Sequence, residues 1–456
     1  MALVAVAFCL VAAGCGDSTI LQANDAGTNQ TDGQDTDAQS ESDAGDGDAD
    51  VDSGHDSGSD DDTIEEYCKG EGPPIVIHSQ GDKCTGDIAK DLFRFALCTC
   101  TDATVMGVLR TDSFDSSQGP FTVPDTSGGA VGINHNMTMP GDIEIGGTTI
   151  LAGPSGASLP GVTKIKGDFK VDGPLSFAGT LDVSRDLWVG GNLNDLGPAT
   201  IGRDLHLGGV MTIPTLADVK GNIIHAPVNV NPPCKCESDQ VLDITAIVAD
   251  AQTHNHNADV GLNKNKLKAM IGDVTLELPC GRFYLAGVGG VGKLTIKVDG
   301  RTALFVDGDF ILTGDMELDI GDKGELDVFV AGNLALTGAN DFGDQIRPAK
   351  IRFYVAGLQD VTITGSSGFV GNLYAPHATV VLTGASYVYG AVFAGNFLAM
   401  GDTGIHYDRE ILNVGEDCDG GPADECLSAG DNCLQDSDCC EPLICTSGKC
   451  DSLIVQ

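Results

Sequence analysis

Four apolar residues set 18 apart constrain this chain more than any other feature. They are Ile165, Val183, Ile201 and Val219. Three positions after each comes Asp168, Asp186, Asp204 or Asn222. Phe169, Leu187, Leu205 and Ile223 follow, then, two further on, Val171, Val189, Leu207 and His225. Gly173, Gly191 and Gly209 close the units. Apolar residues at a spacing of two mark short strands with one buried face. One such unit holds too few apolar side chains to stand alone, whereas stacked units bury a continuous column and pair their strands in parallel. The expected fold class is mainly β, a parallel β-helix or solenoid of right-handed sense. Met139, Asp142, Ile143, Ile145 and Gly147 fit the same template with eight extra residues before the next coil. The repeated polar column is therefore Asp142, Asp168, Asp186, Asp204 and Asn222.

A second series follows at a longer period. Phe305 to Gly314 recurs as Phe329 to Gly338, offset 24, and Phe353 to Gly357 joins with one inserted residue. Gly371-Asn372 and Gly395-Asn396 are also 24 apart. Between the two series the strand pattern breaks. Ser238 suits a helix N-cap, and Val241, Ile244, Ile247, Val248 and Ala251 trace one helical face. The predicted helix, 238–253, would cover an end or a side of the solenoid.

The polar column reads first as turn capping, because Asp and Asn satisfy backbone N–H groups at turns. The alternative is chemical. Carbohydrate-active enzymes built on a β-helix need clustered acids with Lys or Arg, or carboxyl groups about 5–9 Å apart. Arg185 with Asp186 and Arg203 with Asp204 are the stacked candidates, with Trp188 as the one aromatic residue suited to stacking on a sugar. His254, His256 and Asp259 have ligand-like spacing for a metal but read first as a polar loop. No Gly-x-Ser-x-Gly, His-Glu-x-x-His or P-loop pattern occurs, so no catalytic residue and no cofactor is expected.

Charge narrows the partners. The chain has 66 Asp and Glu against 25 Lys and Arg, a net charge of −41. Such a surface repels phosphate backbones, which excludes nucleic acid bound through the protein's own charge. Glycine is 62 of 456 residues, about twice the usual share, which suits repetitive β structure. After residue 15 no apolar run approaches the roughly 20 residues of a spanning helix.

Residues 17–66 hold 17 of the acidic residues and no Lys or Arg. This tract cannot bury enough apolar surface to offset its ordering entropy, so 16–64 is expected to be a disordered acidic linker. Asp46, Asp48, Asp50 and Asp52 alternate as in calcium loops, but the turn Gly and distal Glu are missing. A solvated spacer is the first reading and weak Ca2+ binding the second. Before the linker, residues 2–13 form a short apolar run that fits the core of a signal peptide. Ala12-Ala13-Gly14-Cys15 resembles a bacterial lipobox, with Cys15 as the lipidated residue and Gly16 implying outer-membrane sorting. No basic residue precedes it.

Sixteen cysteines fit export to an oxidising compartment. Cys9 lies in the leader and Cys15 would carry lipid. Cys68, Cys84, Cys98, Cys100, Cys234, Cys236, Cys280 and Cys418 make an even set expected to form disulfides with partners left open. One residue between Cys98 and Cys100, and between Cys234 and Cys236, fits zinc less well than two would. The last six cysteines, spaced Cys426-x6-Cys433-x5-Cys439-Cys440-x4-Cys445-x4-Cys450, resemble an inhibitor cystine knot. That resemblance implies the pairs Cys426–Cys440, Cys433–Cys445 and Cys439–Cys450.

Gly371-Asn372-Leu373-Tyr374-Ala375-Pro376, Gly384, Tyr389-Gly390-Ala391 and His406-Tyr407-Asp408 resemble a bacterial surface domain found in PilX-like pilus-assembly proteins and lipoproteins. The resemblance covers about residues 300–410 and brings no catalytic residues. Bactofilins share short β-helical repeats as an architectural analogy only.

The expected organisation is a lipoprotein signal (1–15), an acidic linker (16–64) and a Cys-containing module capping the solenoid (65–130). Then come a first β-helix half (131–233), a Cys-containing helical insert (234–280), a second half (281–411) and a knottin-like module (412–456). The expected function is a lipid-anchored, non-enzymatic surface or envelope scaffold for adhesion, envelope structure or display. It would sit in the outer membrane or cell surface of a Gram-negative bacterium. Its partners would be the membrane and a surface polysaccharide or protein. The alternative is a β-helix polysaccharide lyase or hydrolase.

Overall fold

The structure, a computed structural model, describes residues 64–81, 83–122, 127–212, 217–337, 340–341, 347–364, 368–384, 386–414, 443–446 and 449–452. All lie in one unit, Gly58–Gln456. It is a parallel β-solenoid of about 13 turns. Cys15, the linker with Asp46 to Asp52, Cys418, Cys426, Cys433, Cys439 and Cys440 lie outside the described residues. So do the side chains of Cys445 and Cys450, whose backbones face each other in the antiparallel pair Leu443–Thr446 and Lys449–Ser452.

The 18-residue coils are three-sided. One coil runs Thr163–Ile165, Phe169–Val171 and Leu175–Phe177, and the next repeats it at Leu181–Val183, Leu187–Val189 and Leu193–Asp195. A three-residue strand turns two side chains inward and one outward. Ile165, Val183, Ile201 and Val219 are consecutive in-register partners. The first three are fully buried. In the other half most strands lengthen to four residues or more, up to twelve in Asn372–Thr383, and the period widens. Phe305 pairs with Phe329 at the expected offset of 24. The period then narrows: Leu373 pairs with Val392, so the 24-residue spacing of Gly371 and Gly395 is not a coil period. Gly371 faces Gly390 instead.

Coil order differs from sequence order. The module expected to cap the solenoid lies inside it. Leu97–Thr99 pairs on one side with Val131–Ile133 and on the other with Val392–Ala394. Val108–Phe114 likewise pairs with both Ile143–Ile145 and Asp402–Asp408. The chain enters mid-stack, winds outward to Ile223–His225, returns outside the coils, and winds back from Met270 to meet its first coil.

The return segment is held along its course. Val230 N–H donates to Asp172 Oδ1 (3.0 Å), and Asn134 exchanges hydrogen bonds with the Cys234 backbone (2.9 Å each). Its helix is shorter than predicted, Ile244–Ala251, and starts at Asp243 rather than Ser238. Asp243 Oδ1 accepts the Ala246 N–H at 2.9 Å, a cap that Ser238 is too distant to supply. Ile244, Ile247, Val248 and Ala251 are buried. The helix lies on strands Gly281–Leu285, Arg301–Val306 and Glu325–Val330, where Phe305 and Phe329 begin an in-register file of rings that continues on the following strands through Tyr354, Tyr374 and Phe393. That covering explains why Glu325–Val330 is buried at all six positions, on both faces.

A glycine column runs through the junction of the two halves. A Cβ on Gly107 would lie 2.0 Å from the Gly401 carbonyl oxygen, and one on Gly141 1.5 Å from that of Gly107. Gly161, Gly179 and Gly197 continue it at 2.2, 2.1 and 1.9 Å from the preceding glycine's oxygen. Coils stack this closely only because that corner has no side chain. Gly179→Ala is expected to cost about 1–3 kcal/mol, as overpacking does. Chemical denaturation should show this against a near-neutral Ser158→Ala, an outward and exposed position.

Candidate functional site

Polar ladders occupy the corners and faces of the stack. Asp168 Oδ1 accepts the Asp186 N–H (3.2 Å), Asp186 Oδ1 that of Asp204 (2.8 Å), and Asp204 Oδ1 that of Asn222 (2.6 Å). Each carboxylate thus ties its own coil to the next. The column continues not to Asp142 but to Thr148, whose hydroxyl accepts the Asp168 N–H (3.3 Å). Asp142 belongs to another corner, where Oδ1 takes the Val162 N–H (2.9 Å), because Ile143 pairs with Thr163 rather than Phe169. The device recurs where no column was expected, from Asp309 to Asn333 to Gln359 and from Asp102 to Asn136.

This use bears on the carbohydrate-enzyme candidates. Asp186 and Asp204 spend an oxygen on the backbone, and Arg185 Nε lies 3.4 Å from Asp168 Oδ1. Arg203 stacks on Arg185 through its backbone. Trp188 is half-buried, and one indole face is taken by the His206 ring at 3.5 Å, so that face offers no platform for a sugar. An outward file of small polar groups is open instead: Thr138, Ser158, Ser176, Asn194 and Thr212 succeed one another on one side of the coils.

The histidine set separates. His256 Nδ1 accepts the Arg282 N–H (3.0 Å), and its own N–H donates to Arg282 O (2.8 Å). His254 Nδ1 lies 3.1 Å from Asp250 Oδ1. Asp259 is on the following turn, its N–H bonded to His256 O (3.2 Å). Among the described residues no group of three His, Cys, Asp or Glu is arranged to hold a metal.

The cysteines of the body serve the return segment. Cys98 bonds Cys234 and Cys100 bonds Cys236, tying an inner strand to the segment that passes outside it. Cys68 bonds Cys280, and Cys84 is disulfide-bonded as well. The Cys-x-Cys spacing suits this use, because residues two apart on a strand point the same way.

Two further clusters were not anticipated. His406 Nδ1 lies 2.8 and 3.0 Å from the Asp112 carboxylate oxygens, inside a collar of Phe121, Tyr387 and Tyr389. Both side chains are only 12% exposed. A carboxylate on Nδ1 fixes the imidazole orientation. Sequence inspection singled out His406 but had no means to find Asp112, 294 residues away.

Beneath the covering segments lies a buried ion cluster. Arg352 donates to Asp327 through Nε (2.6 Å) and Nη2 (2.8 Å), to Glu325 through Nη2, and to Ala349 O through Nη1 (3.2 Å). Burial pushes the Glu325 carboxyl up, but Arg352, with Lys350 and Arg301, outweighs it and holds the group below its ordinary range. Nearby Asp408 goes the other way: burial raises it despite N–H donors from Ser116, Glu410 and Ala349. All these charges are enclosed, so the cluster acts as structure.

Comparison with known proteins adds one sequence match. A domain of unknown function (DUF7305) matches residues 237–414, starting just past Cys236 and taking in the helix and the second half. It includes the 300–410 stretch singled out above and carries no functional description. No curated protein matches the chain. Among solved structures, the chain is similar to the crystal structure of a glycosylated ice-binding protein (LeIBP) from an Arctic yeast. The identity is 17% and the TM-score 0.18, over 50% of this chain and 89% of that one.

Proposed function

We propose that this chain is an exported, lipid-anchored, non-enzymatic scaffold that displays a rigid β-solenoid at the bacterial surface, for adhesion, envelope structure or display. Cys15 carries the lipid, residues 16–64 space the body from the outer membrane, and the solenoid meets a surface polysaccharide or protein. The observation that carries this reading is the disulfide bonding of Cys68, Cys98, Cys100, Cys234, Cys236 and Cys280. Bonds of this kind persist in oxidising compartments, and here they staple a scaffold rather than frame a cleft. The spending of ladder carboxylates on backbone groups supports a structural role for the faces.

Metabolic labelling with a fatty-acid precursor tests it, together with fractionation and protease treatment of intact cells. The wild-type protein should take up label, sediment with outer membranes and lose its body to external protease. Cys15→Ser should abolish the label and release the protein. Unlabelled, reduced protein in the cytosol would overturn the reading.

A further inference from the structure

The two ends of the stack are finished differently. At one end Met270–Ile271, Val274–Leu278 and Gly281–Leu285 each pair on one side only, and the edge of Gly281–Leu285 is completed by His256 and Asn257. Arg282 N–H donates to His256 Nδ1 and Tyr284 N–H to Asn257 Oδ1, while the His256 N–H donates to Arg282 O and Asn257 Nδ2 to Tyr284 O. No strand of another copy can add to that edge without displacing them.

The other end has no such cover among the described residues. Ala217–Val219 and Ile223–His225 each pair on one side only, with Ala199–Ile201 and Leu205–Leu207. Met211 bridges Leu193. Ile223 continues the inward file of Leu187 and Leu205, which are fully buried, yet it is 47% exposed. Val210 and Leu196, at corners of the last coils, are 65% and 66% exposed. An open edge beside exposed apolar side chains is a template for another strand, and solenoids require their terminal coils to be covered.

Charge indicates what covers it. Residues 196–225 carry Arg203 and Lys220 against Asp204 and Asp218, a neutral patch in a chain of net charge −41. Two copies of so acidic a protein repel each other over most of their surface but not here. An antiparallel pairing of Ala217–Val219 with itself, centred on Val219, sets Asp218 opposite Lys220 of a second copy, twice by symmetry. In a three-sided coil the same two-fold axis carries Ile223 over Met211 of the second copy.

We propose that this end is a homodimer interface, in which two copies dock their Ala217–Val219 and Ile223–His225 strands about a two-fold axis and continue the β-structure from one stack into the other. The contact is isologous, so assembly through this face closes at two. The inference does not depend on the anchor or on the ligand of the scaffold.

Sedimentation velocity on the full, disulfide-intact chain over a wide concentration range tests it. A reversible species of twice the 47.0 kDa chain mass is expected. Ile223→Lys should weaken association at least tenfold with unchanged circular dichroism. Should that variant fold poorly, Val210→Glu, at a corner already open to solvent, should produce the same loss. Hydrogen exchange at residues 217–225 should slow in the concentrated sample. A monomer at every concentration overturns the proposal, as do species growing beyond two copies or a dimer that both variants leave at wild-type affinity.

Discussion

Arg352→Ala is expected to destabilise the protein by about 3–5 kcal/mol, the loss typical of removing one partner from a buried ion pair. The guanidinium is wholly enclosed and bridges Asp327 and Glu325. Its loss leaves two carboxylates beneath the covering segments, with Arg301 no closer than 3.9 Å to Glu325. Arg352→Lys should recover only part of the loss, because one ammonium lacks the planar fork that spans both acids. Replacing Glu325, Asp327 and Arg352 together by apolar residues of similar volume should recover most of it.

The same cluster sets a pH dependence. The Glu325 carboxyl is held below its unfolded range. Its stabilisation is therefore complete above the unfolded pKa and is lost as pH falls through the lower folded value. In Arg352→Ala that depression is gone. The stability difference between the two proteins, measured by urea denaturation, should narrow on acidification. A constant difference from neutral pH down to the acid limit of folding would refute the assignment.

Repetition decided what could be read from the sequence. Ile165, Val183, Ile201 and Val219 declare one file because each coil places the same demand at the same phase, and the Asp168 to Asn222 column is legible for the same reason. Phase slips broke the reading. Asp142 precedes Asp168 by 26 residues, one 20-residue coil plus one six-residue side, so the look-alike sides of the coil placed it at the wrong corner. Shortening of the period toward the junction makes the spacing of Gly371 and Gly395 coincidental.

Coil order was not legible at all. Leu97–Thr99 meets Val392–Ala394 through backbone pairing, which carries no complementary side-chain code for sequence to reveal. The His406–Asp112 pair follows from that unseen adjacency. The Arg352 cluster was missed for a related reason: its column reads Ala303, Asp327, Arg352 and Asn372, with no repeated residue to betray it. The return path left one trace, the matched Cys-x-Cys pairs, whose meaning appears only when both are seen on neighbouring chain segments.

Those pairs should behave non-additively. Cys98–Cys234 and Cys100–Cys236 close loops of identical separation, 136 residues. While either remains, the other closes only a ring of a few residues, so losing one pair should cost about 2 kcal/mol by loop-closure entropy. Losing both opens the long loop as well, and the total should reach about 6–7 kcal/mol on the same basis. That is comparable to the whole stability of many domains. The return segment then keeps its hydrogen bonds to Asn134 and Asp172, those from Lys235 to Asp91 and from the Leu242 N–H to the Tyr374 hydroxyl, and the packing of its helix on the aromatic file. The expected consequence is local: a helix 244–251 that exchanges amide hydrogens rapidly and rings at Phe305 and Phe329 that become solvent-accessible, while the 18-residue coils stay protected. Denaturation of Cys98→Ser/Cys234→Ser, Cys100→Ser/Cys236→Ser and the quadruple variant, followed by hydrogen exchange, measures both effects. Equal and additive losses from the two pairs would mean that each bond restrains a different part of the unfolded chain, contrary to the shared loop that the pairing describes.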